Sequence, residues 1–136
     1  MTTKPRTKVL FICEGNTCRS PMAEIIFRNV CKRHKRTGVT VRSAGTCANV
    51  GADLMPEALI ALQDAGEKIP KKPHCAKQFT MKMQQQFDYI LDLRQYTDPY
   101  GRGQAAYDAV CHQLQIDLEN LYQQIFVYHT PQPVLS

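Results

Sequence analysis

The chain is organised around residues 8–21, which read KVLFICEGNTCRSP. Residues 9–12 form a continuous apolar run with β-branched and aromatic members, which predicts a short strand buried on both faces. Ser20 and Pro21 are typical of a helix start, with the serine as N-cap and the proline at the first helical position. Because a short segment containing a Gly-Asn pair must reverse the chain between strand and helix, we predict a tightly wound loop.

The wound loop predicts an anion-binding site. At a helix N-terminus, unpaired backbone N–H groups and the positive end of the helix dipole point to the same place. The loop opens with Cys13, whose thiolate form is favoured by such a field. It closes with Arg19, whose guanidinium can bind two oxygens of one phosphate group. This pair of residues indicates attack by a cysteine sulfur on phosphorus.

Residues 13–21 resemble the signature loop of low-molecular-weight protein tyrosine phosphatases, in which a cysteine and five further residues precede Arg-Ser. That family also includes a group of bacterial protein-arginine phosphatases and is related to thioredoxin-linked arsenate reductases. The preceding strand, the Gly-Asn pair, the second cysteine and the final Ser-Pro make the resemblance specific. It implies that Cys13 is the catalytic nucleophile and that the phosphate-binding loop consists of Glu14, Gly15, Asn16, Thr17, Cys18 and Arg19.

The composition predicts a single domain. With 136 residues, of which 43% are apolar, the chain can bury one modest core. We assign this domain to residues 1–128 and predict a flexible tail over residues 129–136, which include two prolines. No apolar run approaches the roughly 20 residues needed to cross a bilayer, and no apolar segment typical of a signal peptide follows the N-terminus. We therefore expect a cytoplasmic protein without membrane association.

Positive charge is concentrated in the first part of the chain. Residues 1–83 carry 15 lysines and arginines against 6 acidic residues, whereas residues 84–136 carry 2 against 6. The densest basic run, residues 32–36, is typical either of a solvated helix end or of a surface that attracts an anionic phosphoprotein substrate. No aromatic residues interleave these charges, so we expect no nucleic-acid partner.

The cysteines indicate reduced thiols and no metal site. Their spacing is irregular and no export signal accompanies them, so a disulfide framework is not expected. The sequence also lacks the Cys-x-x-Cys and paired-histidine spacings that bind zinc. We therefore predict neither a metal nor a cofactor. The six cysteines are Cys13, Cys18, Cys31, Cys47, Cys75 and Cys111.

The segments that follow the loop predict a parallel sheet. Apolar residues at helical spacing extend over residues 21–36, before Gly38, and residues 39–44 alternate as a strand. Strand, helix and strand in this order form a right-handed βαβ unit. A loop over residues 46–55 and a helix over residues 56–66 come next. The predicted fold is a small three-layer α/β domain with a short parallel sheet, flanking helices and the phosphate loop between the first strand and the first helix.

The basic connector over residues 68–79 contains HCAKQ from His74 onward, which is similar to the family's His-x-Ala-Arg-Gln stretch. The resemblance implies a hydrogen-bond network that supports the loop, whose members would be Asn16, Ser20, Ser43 and His74. Ligands of parallel sheets bind at the C-terminal ends of the strands, which places Ser43 beside the loop. Without the resemblance, a histidine in a connector is more typical of the exposed surface.

Residues 87–93 predict a third strand, and Asp98-Pro-Tyr-Gly follows after four residues. An Asp-Pro pair alone is most often a turn, but these residues match the family's general-acid loop, which implies that Asp98 protonates the leaving group. Family members have a helix and a fourth strand before this loop. Both are absent here, since a crossover needs a dozen or more residues. Their loss shifts the loop by about one strand spacing, roughly 5 Å, so Asp98 can still approach the phosphate loop. Residues 104–128 predict a closing helix, with an apolar stripe at helical spacing that packs in the core. The stripe consists of Tyr107, Val110, Leu114, Leu118, Leu121 and Ile125.

The expected function is hydrolysis of phosphotyrosine in a phosphorylated protein, through a cysteinyl-phosphate intermediate. Tyr100 suits a phenyl ring, whereas Thr17 is the residue of the arginine-phosphatase group, so phosphoarginine is the alternative substrate. Arsenate reduction is disfavoured because residues 79–110 lack the two further redox cysteines of those relatives. Because the scaffold is shortened, a non-catalytic phosphate-binding module is the alternative from a different class.

Cys18 has two interpretations. The family suggests a reversible disulfide with Cys13 that shields the nucleophile from over-oxidation. The other interpretation is a small buried residue that fills space at the start of the helix.

Overall fold

A three-stranded parallel sheet forms the centre of the fold in a computed structural model that describes residues 6–135. β1 (Thr7–Cys13) lies between β2 (Val39–Gly45) and β3 (Tyr89–Asp92). The last five residues of β1 are buried, as expected for a strand covered on both faces. Cys13 pairs with Gly45 and Ile12 with Asp92, so the three strands end at the same edge of the sheet.

Helices cover the sheet and confirm the predicted α/β class. They are α1 (Arg19–Arg33), α2 (Pro56–Asp64), α3 (Met81–Gln86) and α4 (Gln104–Tyr122). A short 3₁₀ turn (Leu93–Gln95) follows β3, and a π-helical segment (Gln123–Val127) extends α4. No helix in the described part of the chain combines the length and the apolar character needed to span a membrane.

The larger part of the core joins α1, α2 and α4 to one face of the sheet. The apolar stripe predicted for the closing helix is confirmed, because all of its members are buried: Tyr107, Val110, Leu114, Leu118, Leu121 and Ile125. A smaller cluster of Leu10, Ile12 and Ala44 packs against partly buried side chains that include Met83 of α3. The sequence MKMQQQ of α3 has no apolar periodicity and none of its residues is buried, so this helix gave no signal.

The sheet ends at β3 on one side. The chain passes from β3 directly into the 3₁₀ turn, and the described residues contain no fourth strand, in agreement with the predicted loss of the family's extra helix and strand. The segment that carries Asp98, residues 96–103, therefore connects this turn to α4. We call it the acid loop.

The predicted start and end of α1 are wrong by a few residues. The helix begins at Arg19, with Cys18 as its N-cap, so Ser20 lies inside the first turn and caps nothing. The helix ends at Arg33 and not near residue 36, because Lys35 adopts a left-handed backbone conformation with φ of 55°. At the start, the Ser20 side chain bonds Cys13 and Asn16. At the end, the backbone N–H of Arg36 donates to the Cys31 carbonyl oxygen at 2.9 Å, which closes the last turn.

Residues 129–135, which the sequence predicts to be a flexible tail, make hydrogen bonds to the rest of the domain. Gln124 bonds Val134 in both directions, with its Nε2 donating to the carbonyl at 2.8 Å and its Oε1 accepting from the N–H at 2.9 Å. Gln95 Nε2 donates to the carbonyl oxygen of Leu135 at 2.9 Å, and the Leu135 side chain is buried. This segment therefore packs against the π-helical segment and the 3₁₀ turn. Residue 136 lies outside the described residues.

Candidate active site

Cys13, the predicted nucleophile, is the last residue of β1 and is buried. Its sulfur lies 2.9 Å from Ser20 Oγ, and this oxygen accepts a hydrogen bond from Asn16 Nδ2 at 2.8 Å. The Ser20 hydroxyl has one proton, which can be donated to the sulfur or to the Ala44 carbonyl oxygen at 3.4 Å. Ser20 therefore links the nucleophile to Asn16 within the loop.

Asn16 sets the winding of the signature loop, residues 13–20. Its φ of 57° lies in the left-handed region, which asparagine tolerates better than most residues, and its side chain is fully buried. Its Oδ1 accepts from the backbone N–H of Lys77 at 2.9 Å. His74 Nε2 lies 2.6 Å from the backbone carbonyl oxygen of Asn16, so this nitrogen carries the proton and donates. The connector thus holds two atoms of Asn16, Oδ1 and the carbonyl oxygen, while Nδ2 of the same residue donates to Ser20 of α1.

Ser43 does not belong to this support. Its hydroxyl donates to Glu24 Oε1 of α1 at 2.5 Å, and the other carboxylate oxygen of Glu24 pairs with Arg28 at 2.5 Å. Ser43 therefore ties β2 to α1. Of the four predicted members of the network, the structure brings together Asn16, Ser20 and His74.

Gly45 allows β2 to approach the signature loop. A Cβ at this position would lie 2.4 Å from the carbonyl oxygen of Glu14. Beyond Gly45, Thr46 N–H donates to the Cys13 carbonyl and Cys47 N–H donates to the Glu14 carbonyl, each at 2.8 Å. The loop is therefore hydrogen-bonded to the chain that follows β2, a contact that no sequence pattern predicts.

Arg19 lies in the first turn of α1 and is almost completely buried. Its Nη1 donates to the carbonyl oxygen of Tyr96 at 2.9 Å, and its Nη2 lies 3.6 Å from Asp98 Oδ2. Both partners belong to the acid loop. The guanidinium is thus held at the junction between the signature loop and the acid loop.

Asp98 reaches the signature loop although no α-helix or strand lies between β3 and the acid loop. Its side chain is 49% exposed and contacts Arg19, and its Oδ1 accepts from the backbone N–H of Tyr100 at 3.1 Å. The buried Pro99 fixes the backbone between them. The carboxyl group therefore has one oxygen held by the loop and one oxygen near the guanidinium.

A cavity of about 260 Å³ lies where these elements meet. It contains most of the predicted site residues together with Cys47, which sequence reasoning missed. Cys47 follows β2, and its side chain is exposed. The cavity is lined by Cys13, Glu14, Gly15, Thr17, Cys18, Arg19, Cys47, Asp98 and Tyr100.

Cys18 lies beside the cavity and packs against α4. Its sulfur is 3.4 Å from the hydroxyl of Tyr107 and 3.7 Å from Thr17 Oγ1. Burial raises the pKa of the Cys18 thiol, and the hydrogen bond with Tyr107 opposes this shift in part. Cys18 therefore has a more weakly acidic thiol than an exposed cysteine.

The described residues contain no group of three histidine, cysteine or acidic side chains arranged to hold a metal ion. The six cysteines are free thiols. The chemical groups of the cavity therefore include thiols, the guanidinium of Arg19, and the separate carboxyl groups of Glu14 and Asp98. Backbone N–H groups at the start of α1 lie beside them.

The sequence profile of the family described as low molecular weight phosphotyrosine protein phosphatase matches residues 8–96, more than half of the chain. The chain belongs to this family. Among curated relatives, the protein-arginine-phosphatase of Bacillus subtilis is 37% identical over 85 residues, covering 62% of this chain and 54% of the relative. The low molecular weight phosphotyrosine protein phosphatase of Schizosaccharomyces pombe is 41% identical over 92 residues, covering 63% of this chain and 55% of the relative. The chain thus spans about half the length of these two relatives.

A solved phosphatase structure shares the fold described here. It is the YwlE arginine phosphatase as a cysteine-to-serine mutant with a phosphorylated active site serine, at 25% identity and a TM-score of 0.78. The match covers 88% of this chain and 95% of that one. The predicted family and its parallel α/β architecture are therefore confirmed.

Proposed function

We propose that this phosphatase-family protein hydrolyses phosphomonoesters of phosphorylated proteins through a cysteinyl-phosphate intermediate. The observation that carries the proposal is that Cys13 and Arg19 of the signature loop line one cavity with Asp98 of the acid loop. A nucleophile, an anion-binding guanidinium and a carboxylic acid are the groups that such a reaction needs. Family membership supports the same reaction.

In the first step, the thiolate of Cys13 attacks phosphorus. A sulfur–phosphorus bond forms while the bond from phosphorus to the leaving oxygen breaks. Arg19 and the backbone N–H groups of the signature loop stabilise the charge on the other phosphate oxygens. Asp98, in its protonated form, transfers its proton to the leaving oxygen.

In the second step, water attacks the cysteinyl phosphate. Asp98, now a carboxylate, accepts a proton from the water while the sulfur–phosphorus bond breaks. Inorganic phosphate leaves, and Cys13 is released as a thiolate, with its sulfur 2.9 Å from Ser20 Oγ. Each step therefore leaves the enzyme ready for the next, and no metal takes part in this scheme.

Phosphotyrosine is the proposed substrate group. Tyr100 lines the cavity and is 65% exposed, so its ring is available to flank the phenyl ring of a substrate. The Schizosaccharomyces pombe relative is named as a phosphotyrosine phosphatase, which agrees with this proposal.

Phosphoarginine is the second candidate, and the cavity wall favours it at two positions. Thr17 places a hydroxyl in the lining, and Glu14 places a carboxylate there that can pair with a guanidinium leaving group. The Bacillus subtilis relative is named as a protein-arginine-phosphatase. The two candidates differ in the charge of the leaving group, which makes them separable by experiment.

The test is turnover of p-nitrophenyl phosphate by the wild type, Cys13→Ser and Asp98→Ala. We expect phosphate release that depends on Cys13 and is slowed by Asp98→Ala. Phosphotyrosine and phosphoarginine peptides of the same sequence, assayed in parallel, identify the preferred substrate. Phosphate release no faster than with Cys13→Ser would reject the enzyme and leave a phosphate-binding module.

The proposed nucleophile also suggests a compartment. A thiolate in an oxidising compartment is lost to disulfides or higher oxidation states. We therefore place the protein in a reducing compartment, of which the cytoplasm is the usual example. Fractionation of cells that express the full chain tests this placement.

A further inference from the structure

Tyr96 fastens the start of the acid loop to two other elements. Its hydroxyl donates a short hydrogen bond to Asp117 Oδ2 on α4. Its backbone carbonyl accepts from Arg19 Nη1 at 2.9 Å. One residue thus links α4, the acid loop and the guanidinium of the signature loop.

Asp117 is a rigid partner for this contact. Its side chain is only 3% exposed, and its other oxygen accepts from Gln113 Nε2 at 2.9 Å. A buried carboxylate is costly unless donors satisfy it, so the phenol of Tyr96 is strongly held. Burial raises the pKa of Tyr96, and Asp117 raises it further, so the hydroxyl keeps its proton.

The contact between Tyr96 and Asp117 lies close to Asp98 in the chain. Only Thr97 separates Tyr96 from Asp98, and both bind the same guanidinium, through Nη1 and Nη2 of Arg19. A single 3₁₀ turn precedes the acid loop, because the family's extra helix and strand are absent. The path of the acid loop away from β3 is therefore set by the side-chain contacts of Tyr96 and Arg19.

We propose that the Tyr96–Asp117 pair is a positioning pair that holds Asp98 and Arg19 in place over Cys13. The pair takes over the support that a longer scaffold would give. Neither side chain touches the substrate; both act through the backbone of the acid loop. The expected loss of kcat/KM rests on the proposed function. The expected loosening of the acid loop rests on the structure alone.

The kinetic test compares two aryl phosphates with Tyr96→Phe. Phenyl phosphate releases a phenol as weakly acidic as tyrosine, with a pKa of about 10, and needs a proton from the general acid. p-Nitrophenyl phosphate releases a more acidic phenol and needs it less. Relative to the wild type, we expect kcat/KM of Tyr96→Phe to fall about tenfold more with phenyl phosphate than with p-nitrophenyl phosphate. This factor is part of the rate enhancement of roughly 10²–10⁴ that general acid catalysis supplies.

Three further variants separate positioning from a general loss of stability. Asp117→Ala should show the same larger loss of kcat/KM with phenyl phosphate as Tyr96→Phe. Asp117→Asn keeps an acceptor for the Tyr96 hydroxyl and should retain most of the wild-type kcat/KM with both substrates. Tyr122→Phe is the matched control, since it removes a hydroxyl that Arg36 contacts at the far end of α4. Equal losses with both substrates in Tyr96→Phe, or the same pattern in Tyr122→Phe, would overturn the proposal.

Amide hydrogen exchange gives a readout that needs no turnover. Residues 97–102 should exchange faster in Tyr96→Phe than in the wild type, and at the wild-type rate in Tyr122→Phe. If the wild type shows no Cys13-dependent turnover of p-nitrophenyl phosphate, the proposed function fails while the exchange result still decides the positioning pair. Unchanged exchange in Tyr96→Phe would refute the pair even in an active enzyme.

Discussion

Replacing Gly45 by alanine tests whether the signature loop owes its shape to the close approach of β2. The added Cβ would lie 2.4 Å from the Glu14 carbonyl oxygen and 3.0 Å from the Asn16 nitrogen. Carbon–oxygen contacts are normally about 3.3–3.6 Å, so the Glu14 carbonyl must move by about 1 Å. Gly45 itself is fixed, since its N–H donates to Lys77 at 2.8 Å and its carbonyl accepts from Phe79 at 2.7 Å.

The displacement occurs at the residue next to the nucleophile. A shift of about 1 Å in a catalytic group typically costs about 10²-fold in rate, and the crowding should lower the free energy of unfolding by about 1–3 kcal/mol. We expect kcat/KM of Gly45→Ala with p-nitrophenyl phosphate to fall about a hundredfold while denaturant unfolding remains cooperative. Gly15→Ala is the comparison, because its Cβ would meet Thr17 Oγ1 at an ordinary 3.6 Å and should cost far less. A folded Gly45→Ala variant with wild-type kcat/KM would refute the argument.

Three further predictions concern the loop and the buried thiols. Asn16→Ala removes the bonds to Ser20 and Lys77 and should lower the free energy of unfolding by about 1–3 kcal/mol, measured in urea; an unchanged midpoint would contradict it. Arg19→Lys loses the two-point contact with phosphate and with Tyr96, so the inhibition constant of inorganic phosphate should rise at least about tenfold, and an equal constant would show that Arg19 does not bind the anion. Burial raises the pKa of Cys31 from 9.0 to about 12; the unfolded thiol ionises first, so this stabilisation is complete below pH 9 and is lost as pH rises toward 12. Urea unfolding should show that the free energy of unfolding falls less between neutral and alkaline pH in Cys31→Ala than in the wild type. An identical fall in both proteins would show that ionisation of Cys31 does not contribute.

The signature loop was predictable because its information is local. The apolar run before Cys13, the Gly-Asn pair and the Arg-Ser-Pro sequence are adjacent in the chain, and the structure places them in β1, in the loop that follows it and in the first turn of α1. The parallel sheet followed from the order of elements, since the βαβ arrangement has one common handedness. The start of α1 was predicted less well, because Ser20 is used to bind Cys13 and Asn16 and not to cap the helix.

The supports of the site depend on contacts between distant residues, which a single sequence does not encode visibly. Ser43 had the right position at the end of β2, but Glu24 of α1 supplied a competing acceptor. Cys47 lines the cavity because its backbone N–H, beyond the end of β2, donates to the Glu14 carbonyl oxygen. Tyr96, two residues before Asp98, contacts Asp117 of α4 across 21 residues of sequence. The sequence contains a tyrosine and an aspartate there but no sign that they meet.

Direct detection of the phosphorylated nucleophile tests the central claim. Asp98→Ala should slow the second step, so p-nitrophenyl phosphate, with its good leaving group, should load the variant with phosphate before hydrolysis. Rapid quenching followed by peptide mass spectrometry should find one phosphoryl group on the peptide that carries Cys13. The double variant Cys13→Ala/Asp98→Ala should carry none. An unmodified Cys13 peptide in the quenched Asp98→Ala protein, or a phosphoryl group on another residue, would contradict the mechanism.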